Sequence, residues 1–187
     1  MKNNTHLGET KEHRLQRFQD SHPYEVIDTL TNSINNYFNN EIALTIKDGN
    51  YQSSLLFLGI HAVALTISEG LFGKTGPDGY GLFLKKFVDG DTPDTKFSVI
   101  AQSIHDWRNV LAHQWIGSIG HSIGYDYTML SGFKRKGEIL FINPKIYCEH
   151  YLKAFGLGGK IYKYEEYMTD VEMEQAKNRL IKKYLAN

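Results

Sequence analysis

The apolar positions of the chain fall into stretches of helical period, separated by breaks rich in glycine, proline and aspartate. Val26, Ile27, Leu30, Ile34, Tyr37 and Phe38 recur at spacings of three and four, which predicts an amphipathic helix. Pro23 suits its first position and "KDGN" ends it near Gly49. A second helix is predicted from Asn50, as N-cap, to about Phe72. It is apolar on most sides (Leu55, Leu56, Phe57, Leu58, Ile60, Val63, Leu65, Ile67), as the central helix of a bundle is. "GKTGPDGYG" reads as a loop, "GLFLKKFV" as a short third helix and "DGDTPD" as a further break. Thr92 as N-cap with Pro93 next opens a fourth helix that runs to about Ile116, where Gly117 and Gly120 end it.

After Gly120 the pattern changes. "YDYTML" and "EILFI" are β-prone stretches around "SGFKRKG", the signature of a hairpin. "NPKIYCEHYLKAFG" returns to helix, with Asn143 capping and Pro144 at the first position. "TDVEMEQAKNRLIKKYL" closes the chain as a helix opened by a capping box, Thr169 and Glu172. The expected fold is all-α: a single helical bundle of four to six helices with a small β-hairpin near residues 125–142. Residues 1–22 form a polar N-terminal arm with a helical turn or two around "KEHRLQRFQD", and residues 23–187 form the helical domain.

Composition narrows the classes of function. The 187 residues suffice for one domain with a sizeable core. Lys plus Arg equals Asp plus Glu, 21 each, so the net charge is zero; a non-specific polyanion binder would be basic. A local patch such as "FKRKG" remains the best place for a phosphate contact outside the motif discussed below. Cys148 is the one cysteine, so there is no intrachain disulfide and no thiolate metal cage. The polar start, "MKNNTHLGETKEHR", does not read as a secretory signal. The most apolar run, "SLLFLGIHAVALTI", is shorter than a membrane span and carries His61. A soluble cytoplasmic protein with no membrane partner is expected.

The fourth helix carries the candidate chemistry in "WRNVLAHQW", residues 107–115. At about 100° per residue, with Asp106 as zero, Val110, Trp107, Ile100, Leu111 and Ile104 span an arc from about 40° to 160°, the buried stripe. Gln102, Asn109 and His113 cluster at about 300° to 340°, and Arg108 lies at about 200° on the other flank. Between the flanks lie Ala101, Ala112 and His105. Small residues there let a second copy of the helix cross by two-fold symmetry and bring two sets of Arg108, Asn109 and His113 together.

"WRNVLAH" resembles the HEPN superfamily, whose signature is an arginine, a polar residue that is often asparagine, three more residues and a histidine, on a late helix of a small bundle. Arg108, Asn109 and His113 match it position by position, and the order of helices over residues 23–120 fits. The resemblance implies a metal-independent endoribonuclease working as a homodimer, with RNA as substrate, no cofactor, and Arg108, Asn109 and His113 as catalytic residues. His105, Asp106 and Glu69 are candidate supporting residues. Some family members act as toxins or in phage defence, often paired with a nucleotidyltransferase-type antitoxin; others keep the fold without catalysis, as nucleotide-binding or protein-interaction modules. The chemistry suits the residue types: a histidine with a pKa near ~6.5 can take the proton of a 2′-hydroxyl. An arginine can stabilise charge on the phosphoryl oxygens. Asn109, one turn before His113, can hold a phosphate oxygen or orient the imidazole.

Other signals are weaker. The same arginine–histidine spacing recurs at Arg17 and His22, but His22 precedes a proline, which disfavours a shared helix face. "SEGLFGKT" departs from a phosphate-binding loop by Ser68 and by ending a helix, and Gly73 reads as its C-cap. His105, His113 and His121 are eight apart, a loose fit to one helix face, and no metal site is expected from them. His61 reads as a satisfied core histidine.

Overall fold

The computed structural model describes residues 9–51, 53–114 and 123–185, without the side chains of residues 112–114, 184 and 185. It is a mostly helical, multi-helix fold with a small three-stranded sheet. Ten residues of the expected arm form a docked helix, α1 (Lys11–Asp20), capped by Thr10 and anchored by buried Phe18. α2 (Pro23–Tyr37) runs through a π turn (Phe38–Ile42) into α3 (Ala43–Lys47). The extra residue of a π turn rotates the phase of the helix. It carries the buried row from Ile27 and Thr31 on to Phe38, Ile42 and Ile46.

α4 (Ser54–Phe72) is the centre of the molecule, packed by α2, α5, α6 and α8. Its N-cap is Ser53, whose hydroxyl accepts from the Leu56 amide at 3.3 Å, and not Asn50, which sits in the turn after Gly49. Gly73 ends it in the left-handed conformation, φ 66°. At 19 residues α4 is longer than the run read from the sequence, and by length and composition alone it could cross a membrane. In this fold its side chains from Leu56 to Leu71 supply much of the core.

α5 (Gly76–Phe83), with a π turn at Leu84–Val88, begins inside the segment expected to be a loop. Its glycines serve close packing: a Cβ at Gly79 would strike the Lys74 carbonyl, and one at Gly81 would lie 3.4 Å from the Ala101 Cβ. The expected fourth helix is also broken. A 3-10 turn (Pro93–Thr95) ends at Lys96, ψ 75°, and a second (Phe97–Ile100) leads into α6 (Ala101–Gln114). Asp89 sets the second start, accepting from the Ser98 amide at 2.9 Å and its hydroxyl at 2.5 Å.

The hairpin is β2 (Phe133–Lys136) against β3 (Ile139–Ile142), turning at Gly137 with φ 60°. The expected helices and hairpin are present, and β1 (Ile123–Tyr125) adds to β3 in parallel, which extends the hairpin to a three-stranded sheet of order β1–β3–β2. Most of "YDYTML" is turn, because the Asp126 carboxylate accepts from the Thr128 amide at 3.0 Å and hydroxyl at 2.6 Å and draws the backbone out of the sheet. α7 (Pro144–Phe155) is capped by Asn143 as expected. A 3-10 segment (Lys160–Tyr167) precedes α8 (Asp170–Leu180), whose Thr169–Glu172 capping box is formed.

Candidate active site

α6 places the motif. Ile100, Ile104, Trp107 and Leu111 are buried, as the wheel requires, and Val110 is half-buried. Trp107 packs edge-on to Phe57 of α4 (5.1 Å between rings) and Tyr125 of β1 (5.6 Å), which fixes the roll of the helix. The strip between the flanks is covered in part within the chain. Ala101 is buried toward Gly81 of α5, and the His105 Nδ1 lies 3.1 Å from the His61 Nε2 of α4. That part of the strip cannot receive a second copy. The face left open carries Gln102, Asp106 and Asn109 of α6 and Val99 of the 3-10 turn before it, with Gln102 donating to Asp106 at 2.8 Å. His113 lies in the last turn of α6; its side chain, that of Ala112, and residues 115–122 with His121 lie outside the described residues.

Arg108 sits half-buried at the edge of that face. Its Nη1 donates to the Asn109 Oδ1 at 2.9 Å, while its Nε is buried without a partner among the described residues. The bond fixes the Asn109 amide: the oxygen is committed to the guanidinium, and the NH2 group is the end left to face a ligand. A guanidinium held this way is a preorganised donor for a phosphoryl oxygen.

His61 is 1% exposed and stacked on Tyr80, ring centres 4.1 Å apart. Burial, then the charge of Arg108, then His105, hold its pKa down to about 3, so it is neutral across the physiological range. The pKa of His105 is lowered as well, by burial first and by Arg108 second, against a smaller opposing pull from Asp106. Behind His61, Tyr80 is joined to Tyr147 by a short hydroxyl contact and to Tyr151 at 3.2 Å. Burial pushes the Tyr80 hydroxyl up to about 12, so it keeps its proton. The sequence offered one sign of His61: it is the single strongly polar side chain in the middle of an otherwise apolar helix.

Of the candidate supporting residues, His105 and Asp106 lie beside Arg108 and Asn109, on the same helix. Glu69 does not join them; it is ion-paired with Lys183 of the C-terminal helical segment, two turns beyond His61. The second arginine–histidine pair has structural tasks: Arg17 is held by Glu9 at 3.0 Å, and His22 caps α2 and stacks on Tyr24. Among the described residues no three metal-ligating side chains come together. The basic hairpin strand borders α6, with Arg135 donating to the Ser103 hydroxyl at 3.0 Å. A cleft of about 160 Å³ opens there between Asp106, Trp107, Arg135 and Glu138.

No protein-family model, curated protein or solved structure matches the chain.

Proposed function

We propose that the chain is a metal-independent endoribonuclease of the HEPN type, with Arg108, Asn109 and His113 as its catalytic set. The observation that carries this reading is the Arg108–Asn109 pair. A half-buried arginine, one of its nitrogens held by the neighbouring amide, stands at the border of an open helix face. His113 follows Asn109 by one turn on that helix. In the reaction His113 takes the proton of the substrate's 2′-hydroxyl. The 2′-oxygen bonds to phosphorus, the bond to the 5′-oxygen breaks, and that oxygen leaves with a proton from water. Arg108 and the Asn109 amide face the charge on the non-bridging oxygens. Two copies meeting through Val99, Gln102, Asp106 and Asn109 would form the composite site. A toxin or phage-defence role, with a nucleotidyltransferase-type antitoxin, is the corresponding biological setting.

One observation favours a second reading, a non-catalytic nucleotide-binding or interaction module. The net charge is zero, and the carboxylates of Asp106 and Glu138 share the cleft beside α6 with Arg135, a mixed lining that suits a small polar group or a protein partner better than a long polyanion. Arg108→Ala and His113→Ala separate the two. Each should abolish cleavage of single-stranded RNA by a folded protein, while Arg17→Ala and His22→Ala leave it unchanged. Cleavage retained in both motif variants would end the proposal.

A further inference from the structure

The His61–His105 contact raises a question of proton placement. Both rings are held neutral, so each carries one N–H, and the 3.1 Å contact between the His61 Nε2 and the His105 Nδ1 needs one donor and one acceptor. Two arrangements satisfy it. In the first, the His61 Nε2–H donates to the His105 Nδ1. The His61 Nδ1 then holds a lone pair, and His105 carries its hydrogen on Nε2. In the second, the His105 Nδ1–H donates to the His61 Nε2. The His61 hydrogen then lies on Nδ1, and the His105 Nε2 is a bare acceptor.

The surroundings of His61 choose between them. Its Nδ1 is buried and has no hydrogen-bond partner among the described residues. A stranded buried N–H is rarer and costlier in proteins than an under-used acceptor. The charge that acts most strongly on His61 is the Arg108 guanidinium. That cation adds to the cost of any further positive charge on the ring, so His61 stays a single-proton imidazole. The Arg108 Nε–H is already one buried donor without a partner among the described residues, and an N–H on the His61 Nδ1 would add a second. The ring cannot easily turn away, because it is stacked on Tyr80, whose hydroxyl is tied to Tyr147 and Tyr151.

We infer that His61 is a positioning residue that fixes His105 as a neutral Nε2–H donor beside Arg108. His105 is then no general base: the nitrogen it has left for a ligand carries a hydrogen. It is an uncharged electrophile that adds a donor to Arg108 and the Asn109 amide for one phosphoryl group, and the base role falls to His113 alone. This use for the site rests on the ribonuclease reading; the proton placement does not. The groups acting on His105 are His61 from α4, and Arg108 and Asp106 from α6. To take a second proton, His105 would have to donate from Nδ1 and drive the His61 hydrogen onto its buried Nδ1. That places its titration below the ordinary histidine value of ~6.5.

The test is a long-range proton–nitrogen spectrum of the nitrogen-15-labelled full chain, with the His105 signals identified by their loss in His105→Gln. The expected result is a protonated Nε2 and an imine-type Nδ1 for His105, titrating below that value. In His61→Gln the side-chain NH2 keeps the donor and the pattern persists; in His61→Phe the tautomer becomes mixed and the titration rises. A His105 protonated on Nδ1, or titrating as an ordinary histidine, overturns the inference whether or not the protein cleaves RNA. In a cleaving protein, His61→Phe should lower kcat by ~10-fold or more with little change in KM, and His61→Gln should restore most of it. Equal loss in both variants would reduce His61 to a packing residue. An inactive wild type with the expected spectrum would refute the ribonuclease reading and leave the proton placement standing.

Discussion

Replacing Tyr80 by phenylalanine removes one oxygen from a fully buried triangle. The hydroxyls of Tyr80, Tyr147 and Tyr151 contact one another, and all three residues are buried to 0% exposure. Three hydroxyls around a triangle can each donate once and accept once, so none is stranded. Tyr80→Phe deletes two of the three bonds and leaves two hydroxyls sharing one, so one buried O–H has no acceptor. Two lost bonds at ~1 kcal/mol each, with a stranded donor of comparable cost, give a destabilisation of about 2–4 kcal/mol. With a urea dependence of ~2 kcal/mol per molar, the unfolding midpoint should fall by about 1–2 M. Urea titration followed by tryptophan fluorescence measures it, because Trp107 is buried against Phe57. The double variant Tyr80→Phe, Tyr147→Phe should cost clearly less than the sum of the singles, since each single strands a hydroxyl and the double also strands only one. A midpoint unchanged within ~0.3 M, or strict additivity in the double, would show that the triangle is not the closed network described.

Stability should also fall in acid. His61 titrates near 6.5 when unfolded and about 3 when folded, so the unfolded chain binds the extra proton first and stability drops as pH falls from 6.5 toward 3. The loss should reach ~2 kcal/mol near pH ~5, and His61→Gln should flatten this part of the urea-midpoint profile; an unchanged slope would contradict the neutral assignment. Trp107→Ala should lower the melting temperature by ~10 °C, from a core loss of about 3–5 kcal/mol, with far-ultraviolet circular dichroism showing whether helices persist at low temperature. Sedimentation velocity should show a dimer that Val99→Glu weakens, since Val99 is 67% exposed in the 3-10 turn that leads into the open face of α6; a monomer at ~100 µM would remove the composite site.

The features legible in the sequence were those decided within a few residues. Pro23 marks a helix start by its fixed φ, and Gly73, Asn143 and the Thr169–Glu172 box mark helix ends through bonds to amides or carbonyls close by; all four do so in the fold. What was hidden depends on distant partners. The glycines of α5 look like a loop until Ala101 of α6 is seen against Gly81. The break at Lys96 follows from the Asp89 carboxylate nine residues before Ser98. The parallel pairing of β1 with β3 is non-local by nature. The site divides in the same way. The adjacency of Arg108 and Asn109, and the placing of His105 and Asp106 with them, could be read from one helix. His61 could not, because its meaning comes from α6 crossing α4 44 residues later. Glu69, a candidate supporting residue in the sequence, is ion-paired with Lys183.

The most direct test of the ribonuclease reading is the chemistry of the product ends. The purified chain is incubated with a single-stranded RNA in EDTA, beside the same RNA with 2′-deoxy sugars at the cleaved positions. Attack by the 2′-oxygen, with His113 and Arg108 supplying proton transfer and charge stabilisation, requires the hydroxyl on the substrate and no metal. The account predicts cleavage in EDTA, resistance of the 2′-deoxy substrate, a 2′,3′-cyclic phosphate opening to a 3′-phosphate on one fragment and a 5′-hydroxyl on the other. A 5′-phosphate product, or activity lost in EDTA and returned by Mg²⁺, would contradict it.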